Sequence, residues 1–316
     1  MMMKDLFCGD EADGLQQGLV IFIMVIGAYK LLMFTLRQIY ACMTYCCRTK
    51  QDLLKKYGGN ASADGSYAVV TGGSEGLGLE MCNQLAEQGF NICMISRNKT
   101  KIDQKIGELR LKHPLIKLKG VAADLSTKTS VAEYKDLVAS ELAELDIGVL
   151  CLNAGCWVQG PTDLVSDSDF ERTFGLNGLH VVYLIKALLP KQLLREQKSS
   201  ILVTSSVIAN TSMPGLASYS ATKAMVSNFT QALHFEVRNK IDVTCWEPGP
   251  CTTNLFADQV EGPPEIICLT PQKAVRDVLC QLGKARVTNG SFWFRFTEFP
   301  QPFGIIGNKV ADNFRT

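Results

Sequence analysis

Residues 71–78 read TGGSEGLG. Ahead of them, YAVVT (67–71) is a short β-branched run. Behind them, LEMCNQLAEQG (79–89) carries Leu79, Cys82, Leu85 and Ala86 at helical spacing. The glycines therefore sit where a strand turns into a helix, and that context gives a glycine motif its meaning. Gly72 permits a tight turn, Gly76 lets backbone approach a pyrophosphate, and Gly78 lets the helix lie close on the strand. The helix N-terminus offers free N–H groups and the positive end of its dipole to a phosphate. The spacing is G-x-x-x-G-x-G, distinct from the G-x-G-x-x-G of longer dinucleotide-binding chains.

The alternation continues outward from this turn. NICMIS (91–96), IKLKGVAAD (116–124), IGVLCLNAG (147–155), SSILVTSS (199–206) and DVTCWEPG (242–249) read as strands with their turns. SFWFRF (291–296) reads as a seventh strand. Helical patterns separate them at 131–145, at 169–194 with an embedded proline, and at 219–239. Strands alternating with helices give an α/β, doubly wound parallel sheet with its ligand at the carboxyl edge. At the end of the second strand, where an acid would hold the ribose of NAD, stands Arg97, with Lys99 nearby and no acid until Asp103. A cation there suits a 2′-phosphate, so the expected cofactor is NADP(H).

Composition narrows the class. A net charge of +1, with no basic run interleaved with aromatics, excludes an electrostatic nucleic-acid binder. The 12 cysteines form no C-x-x-C, and Cys93, Cys151 and Cys245 fall in apolar strand-like runs, as reduced buried thiols do. His113, His180 and His234 have no ligand spacing, and no metal site is expected.

Residues 19–36, LVIFIMVIGAYKLLMFTL, form an apolar run broken chiefly by Lys30. As a helix they reach about 27 Å, close to the hydrocarbon thickness of a bilayer. The residues before the run carry Asp5, Asp10, Glu11 and Asp13 against Lys4, unlike the positive start of a signal peptide. Arg37, Arg48, Lys50, Lys55 and Lys56 follow it, which puts the C-terminal side in the cytosol. Cys42, Cys46 and Cys47 beside the run are open to palmitoylation. The expected organisation is an acidic N-terminus (1–18), a transmembrane anchor (19–36), a basic juxtamembrane segment and linker (37–65), one catalytic domain (66–296) and a tail (297–316).

Residues 219–223 read YSATK, placing Tyr219 and Lys223 on one helix face. A tyrosine of pKa about 10 is a poor acid–base group at neutral pH, and a neighbouring ammonium would lower it. Ser206, thirteen residues earlier, could donate to a carbonyl oxygen while Tyr219 delivers a proton. With a nicotinamide hydride, that set would reduce a ketone.

TGGSEGLG, Asp124, NAG (153–155), Asn177, Ser206, YSATK and PGPCTT (248–253) occur together in an order and spacing that resembles the short-chain dehydrogenase/reductase family over residues 66–296. The resemblance implies a Rossmann-type fold and a catalytic tetrad of Asn177, Ser206, Tyr219 and Lys223. Asn177 would hold a water linking Lys223 to solvent, and Lys223 would also bond the nicotinamide ribose. Cofactor contacts would come from Thr71, Gly72, Ser74, Glu75, Gly76, Leu77 and Gly78 in the turn, with Arg97 at the 2′-phosphate. Asp124 and Leu125 would serve the adenine side, and Asn153 would brace the sheet near the cofactor. Beyond Tyr219 and Lys223, Pro248, Gly249 and Thr253 would reach the nicotinamide. The stretch from Asn254 to Leu269 would cover the substrate, and a homodimer would form through the long helices.

The anchor, ISRN (95–98), LDIGVLCLNAG (145–155) and LHFEVRNK (233–240) are similar to the membrane-bound 17β-hydroxysteroid dehydrogenase type 3 and type 12 group. That group includes very-long-chain 3-oxoacyl-CoA reductases of the endoplasmic reticulum. The chain departs from it with Leu152–Asn153 in place of paired asparagines and Pro248–Gly249 in place of Pro–Tyr. The implied substrate is a lipid ketone, a 3-oxoacyl-CoA or a 17-ketosteroid. A 3-ketodihydrosphingosine reductase, an oxidative lipid-alcohol dehydrogenase and a noncatalytic NADP(H)-binding scaffold remain open alternatives.

Overall fold

In a computed structural model, residues 9–46, 49–59, 65–211, 213–253, 255 and 268–290 are described. The chain divides into two units, Met1–Arg48 and Thr49–Thr316. The described residues of the first form one helix, α1 (Gly9–Cys46). Its stretch Gln16–Leu36 has a mean hydropathy of 2.3 and is long and apolar enough to cross a membrane. Its apolar side chains, among them Phe22 and Met24, are exposed.

The second unit opens with a short helix, α2 (Leu53–Tyr57). Residues 50–65 are therefore not wholly a linker. Polar composition hid a helix started by Asp52, whose side chain accepts from the Lys55 amide at 2.9 Å. Leu53 and Tyr57 are both fully buried in the core. Gln51 donates to the carbonyls of Leu279, Cys280 and Leu282, at 3.2, 2.8 and 3.2 Å.

β1 (Tyr67–Thr71), α3 (Gly76–Glu87), β2 (Asn91–Ser96), α4 (Lys99–Lys112) and β3 (Leu118–Ala122) build one half. α5 (Val131–Leu137), β4 (Ile147–Leu152), α6 (Asp167–Phe174), α7 (His180–Leu193), β5 (Ser199–Thr204), α8 (Ala217–Val237) and β6 (Ile241–Trp246) build the other, followed by α9 (Pro271–Leu279) and β7 (Val287–Thr288). The described strands form one parallel sheet in the order β3-β2-β1-β4-β5-β6-β7. β4 and β5 are buried along their whole length, as strands covered on both faces must be.

Alternation distributes the core. In β2, Ile92 and Met94 face the cluster under α2, α3, α4 and α9, whereas Cys93 and Ile95 face the cluster under α5, α7 and α8. Cys93, Cys151 and Cys245 are buried in β2, β4 and β6, and burial pushes each thiol up to about 12. The seventh strand expected at 291–296, the tail 297–316 and most of the substrate-covering stretch 254–269 lie outside the described residues; the described β7 is Val287–Thr288. The single helix expected over 169–194 is interrupted. Between α6 and α7, Gly175–Leu179 winds as one π-helical turn, and Asn177 stands in it.

Candidate active site

The turn between β1 and α3 is shaped by its glycines. Gly72 has φ +68°, a left-handed conformation, and its amide donates to the Ile95 carbonyl at 2.8 Å. A Cβ on Gly78 would lie 2.2 Å from the Gly72 carbonyl oxygen and 2.8 Å from Asn153 Nδ2. Glu75 stands at the N-cap of α3 without a side-chain capping bond, so it leaves the first-turn amides to another acceptor. Thr253 comes to this turn from far along the chain: a Cβ on Gly76 would meet its Cβ and Cγ2 at 3.4 Å. Ser74 Oγ lies 2.9 Å from Ser96 Oγ, joining the turn to the end of β2. The Glu75 carboxylate is exposed and pairs with Lys101 at 3.1 Å. Leu77 packs against the core of this half.

Arg97 is exposed just past β2, beside Asn98, which caps α4 by accepting from the Lys101 amide at 2.9 Å. Asp124 accepts from the Ser126 amide and hydroxyl at 2.9 and 2.6 Å. Partial burial pulls its pKa up, but the Ser126 bonds and the charges of Arg97 and Arg172 outweigh that and hold it below the usual range. Leu125 is committed to the fold. Its side chain is buried in the core and its carbonyl accepts from the Tyr134 hydroxyl at 2.8 Å, so its side chain is not available to a cofactor.

The carboxyl edge of the sheet gathers the expected tetrad. α8 presents Tyr219 and Lys223, both buried, and Ser206 stands two residues past β5. The Ser206 side chain lies close enough to the Tyr219 phenol to favour its ionised form, and its Oγ accepts from the Ile208 amide at 3.3 Å. Lys223 Nζ donates to the Thr204 carbonyl at 3.0 Å and lies 5.7 Å from the centre of the Tyr219 ring. Asn177 uses its amide on Cys156: Oδ1 accepts from the Cys156 amide at 2.8 Å and Nδ2 donates to its carbonyl at 2.9 Å. A Cβ on Gly155 would sit 3.0 Å from Asn177 Oδ1 and 3.7 Å from Lys223 Nζ, so this loop touches both. The Pro248 carbonyl accepts from the Val207 amide at 3.1 Å, and the Gly249 carbonyl from the Cys251 thiol at 3.5 Å. Both carbonyls therefore face the segment after Ser206 or their own turn.

The expected electrostatics need correction. On balance the protein's own groups raise Tyr219 instead of lowering it. Burial pushes the phenol up to about 12, with the Ser206 side chain working against it. Burial also brings Lys223 down to about 8. The ammonium is spent on the Thr204 carbonyl, and desolvation of the phenolate wins.

Two residues that sequence reasoning passed over support the site. The half-buried Trp157 ring lies 4.6 Å from that of Tyr219, tilted by 56°. Its one signal was its place two residues after the NAG turn. His180, fully buried, hydrogen-bonds the Leu176 carbonyl through Nδ1 and lies 3.3 Å from Thr71 Oγ1 through Nε2. A carbonyl only accepts, so Nδ1 carries the proton and Thr71 donates to Nε2. Thr71 Oγ1 in turn accepts from the Asn153 and Ala154 amides at 3.0 and 3.1 Å. Thr71 therefore braces the NAG turn.

Burial, with a smaller push from Lys223, lowers His180 from 6.5 to about 4. The folded protein then binds this proton less tightly than the unfolded chain. Stability is fully present above pH 6.5 and is lost as pH falls from 6.5 toward 4, by on the order of 3 kcal/mol. His180→Asn is expected to flatten this limb, read as the denaturation midpoint at pH 4.5 and pH 7. A limb of equal depth in the variant would exclude His180 as its source.

A family model described as short chain dehydrogenase matches residues 66–263. The chain belongs to this family. Curated relatives of this short-chain dehydrogenase carry the name very-long-chain 3-oxoacyl-CoA reductase. The Bos taurus protein is 35% identical over 56% of this chain and 56% of its own length. The Anas platyrhynchos protein is 31% identical over 72% of each chain. The match thus spans little more than half of the bovine relative. Among solved structures, a short-chain dehydrogenase from Sphingobium yanoikuyae in complex with NADPH superposes with a TM-score of 0.64 at 21% identity, covering 78% of this chain and 94% of the other. That likeness establishes the Rossmann-type fold. Among the described residues no three metal-ligating side chains cluster.

Proposed function

We infer that this dehydrogenase reduces a lipid ketone to the alcohol with NADPH, and that the ketone is a 3-oxoacyl-CoA. The gathering of Ser206, Tyr219 and Lys223 at the carboxyl edge carries the reading. The cradle suits a dinucleotide: the helix end lacks a side-chain cap, and a Cβ at Gly78 would close the turn. Thr71, Gly72, Ser74, Gly76 and Gly78 would hold the phosphates, with Glu75 and Leu77 contributing backbone amides. Arg97 would take the 2′-phosphate, and Asp124 and the Leu125 amide the adenine. Asn153, Lys223, Pro248, Gly249 and Thr253 would flank the nicotinamide.

When bound, the cofactor supplies the hydride to the carbonyl carbon. Ser206 holds the carbonyl oxygen, and Tyr219 gives its phenolic proton to that oxygen as the C=O π bond is lost. Lys223 stabilises the phenolate left behind. Asn177 fixes the Gly155–Cys156 loop against Lys223 with its side chain and would hold the water that links Lys223 to solvent. With Tyr219 at about 12 and Lys223 at about 8, both are protonated at neutral pH. That state suits a proton donor in reduction and opposes the oxidative alternative.

The relatives' shared name favours the acyl-CoA over a 17-ketosteroid. The apolar span of α1 followed by basic residues supports a single-pass anchor in the endoplasmic reticulum with the domain in the cytosol. NADPH oxidation by the purified full-length protein in detergent tests the reading. 3-Oxoacyl-CoA esters, a 17-ketosteroid and 3-ketodihydrosphingosine are compared side by side, and turnover of the acyl-CoA is expected. Arg97→Asp is expected to weaken NADPH about 10- to 100-fold while leaving NADH nearly unchanged. Equal losses for both would remove Arg97 from the 2′-phosphate.

A further inference from the structure

The amino edge of the sheet, at the far end of the strands from Tyr219, bears a surface the reaction does not use. α4 descends from the cofactor edge and spends Ile102 and Leu109 on the core. Its last turn and the loop behind it, 110–117, reach the amino edge, where the Lys117 amide donates to Asn91 Oδ1 at 2.7 Å. Leu111 and Leu115 project from this segment 88% and 98% exposed. Arg110, Lys112 and Lys117 around them are exposed as well. From Leu109 to Ala123 there are four Lys or Arg residues and no acid. Leu194, at the end of α7 on the other side of the sheet, reaches the same edge 85% exposed.

The chain also enters the domain at this edge. Leu53 donates its amide to Gln88 Oε1 past the end of α3, and Gln51 is bonded to the end of α9. Fourteen residues separate Leu36, the end of the apolar span, from Gln51. At most about 50 Å of fully extended chain therefore joins the apolar span to this edge. Protruding leucines ringed by bases are the chemistry that inserts between acyl chains while binding lipid phosphates.

We propose that the 110–117 segment docks on the anionic lipid surface of the membrane that α1 spans. This rests on the anchor reading above. The carboxyl edge then opens toward water, which suits a ketone carried on a water-soluble group such as coenzyme A.

Hydrogen exchange of the full-length protein in lipid nanodiscs tests the docking. Discs of phosphatidylcholine are compared with discs containing about one-third phosphatidylserine. Backbone amides of 113 and 115–117 are expected to exchange about tenfold more slowly in the anionic discs. The triple variant Arg110→Glu, Lys112→Glu, Lys117→Glu, and separately Leu111→Ser with Leu115→Ser, should abolish the difference with the thermal midpoint unchanged. Equal exchange in both lipids, with the protein resident in the discs, overturns the docking and leaves the anchor standing. Protection that follows protein concentration and ignores lipid charge assigns the face to a second copy and overturns it too. A chain that does not enter the discs overturns the anchor reading and the docking with it.

Discussion

Tyr219→Phe is expected to lower kcat about 10²- to 10⁴-fold while NADPH binds within about twofold of the unaltered protein. The substitution removes one oxygen from a buried ring and leaves the contact with Trp157 in place. It also leaves Lys223 on the Thr204 carbonyl, so the loss reads the proton and not the packing. Single-turnover reduction of the best substrate from the panel is the measurement. A rate within tenfold of the unaltered protein would mean that Tyr219 is not the donor. An unchanged physiological role in such a variant would favour a noncatalytic NADP(H)-binding scaffold.

The double variant Leu53→Ala, Tyr57→Ala is expected to destabilise the catalytic unit by about 5 kcal/mol or more, comparable to the whole stability of many domains. Both side chains are fully buried. The Tyr57 hydroxyl donates to Asp242 Oδ2 at 2.9 Å, and Asp242 is also held by Lys56 and Lys198 at 2.9 and 2.8 Å. Burial raises the Tyr57 pKa far above its ordinary value, so the phenol stays a donor. The backbone of α2 sits so close to β4 that a Cβ on Gly148 would lie 2.6 Å from the Tyr57 carbonyl oxygen. Urea unfolding of the full-length protein in detergent, followed by tryptophan fluorescence, checks this. An unchanged midpoint would mean that residues before 66 are a linker after all. The same contacts place the start of the compact unit at Thr49.

Much of the site was legible because its chemistry is local in sequence. Tyr219 and Lys223 share a face at i and i+4 whatever the rest of the chain does, and α8 covers them. Gly72 and Gly78 were readable because a strand and a helix flank them, and left-handed or crowded backbone demands glycine. Asn177 was found by resemblance, but its π-helical turn was not foreseen, since a single wide turn leaves the helical periodicity of 169–194 nearly intact.

The sequence by itself determined the βαβ alternation, the glycine turn, the apolar span and the pairing of tyrosine with lysine, because each rests on spacing within a few residues. Only the tertiary structure decided what those groups are worth. It raised Tyr219 and lowered Lys223 through burial, it drew Thr253 to Gly76, and it used His180 to hold Thr71 under the NAG turn. It also turned a polar stretch at 51–57 into part of the core. Desolvation and long-range contact depend on what the fold brings together from distant positions, and no local pattern encodes them.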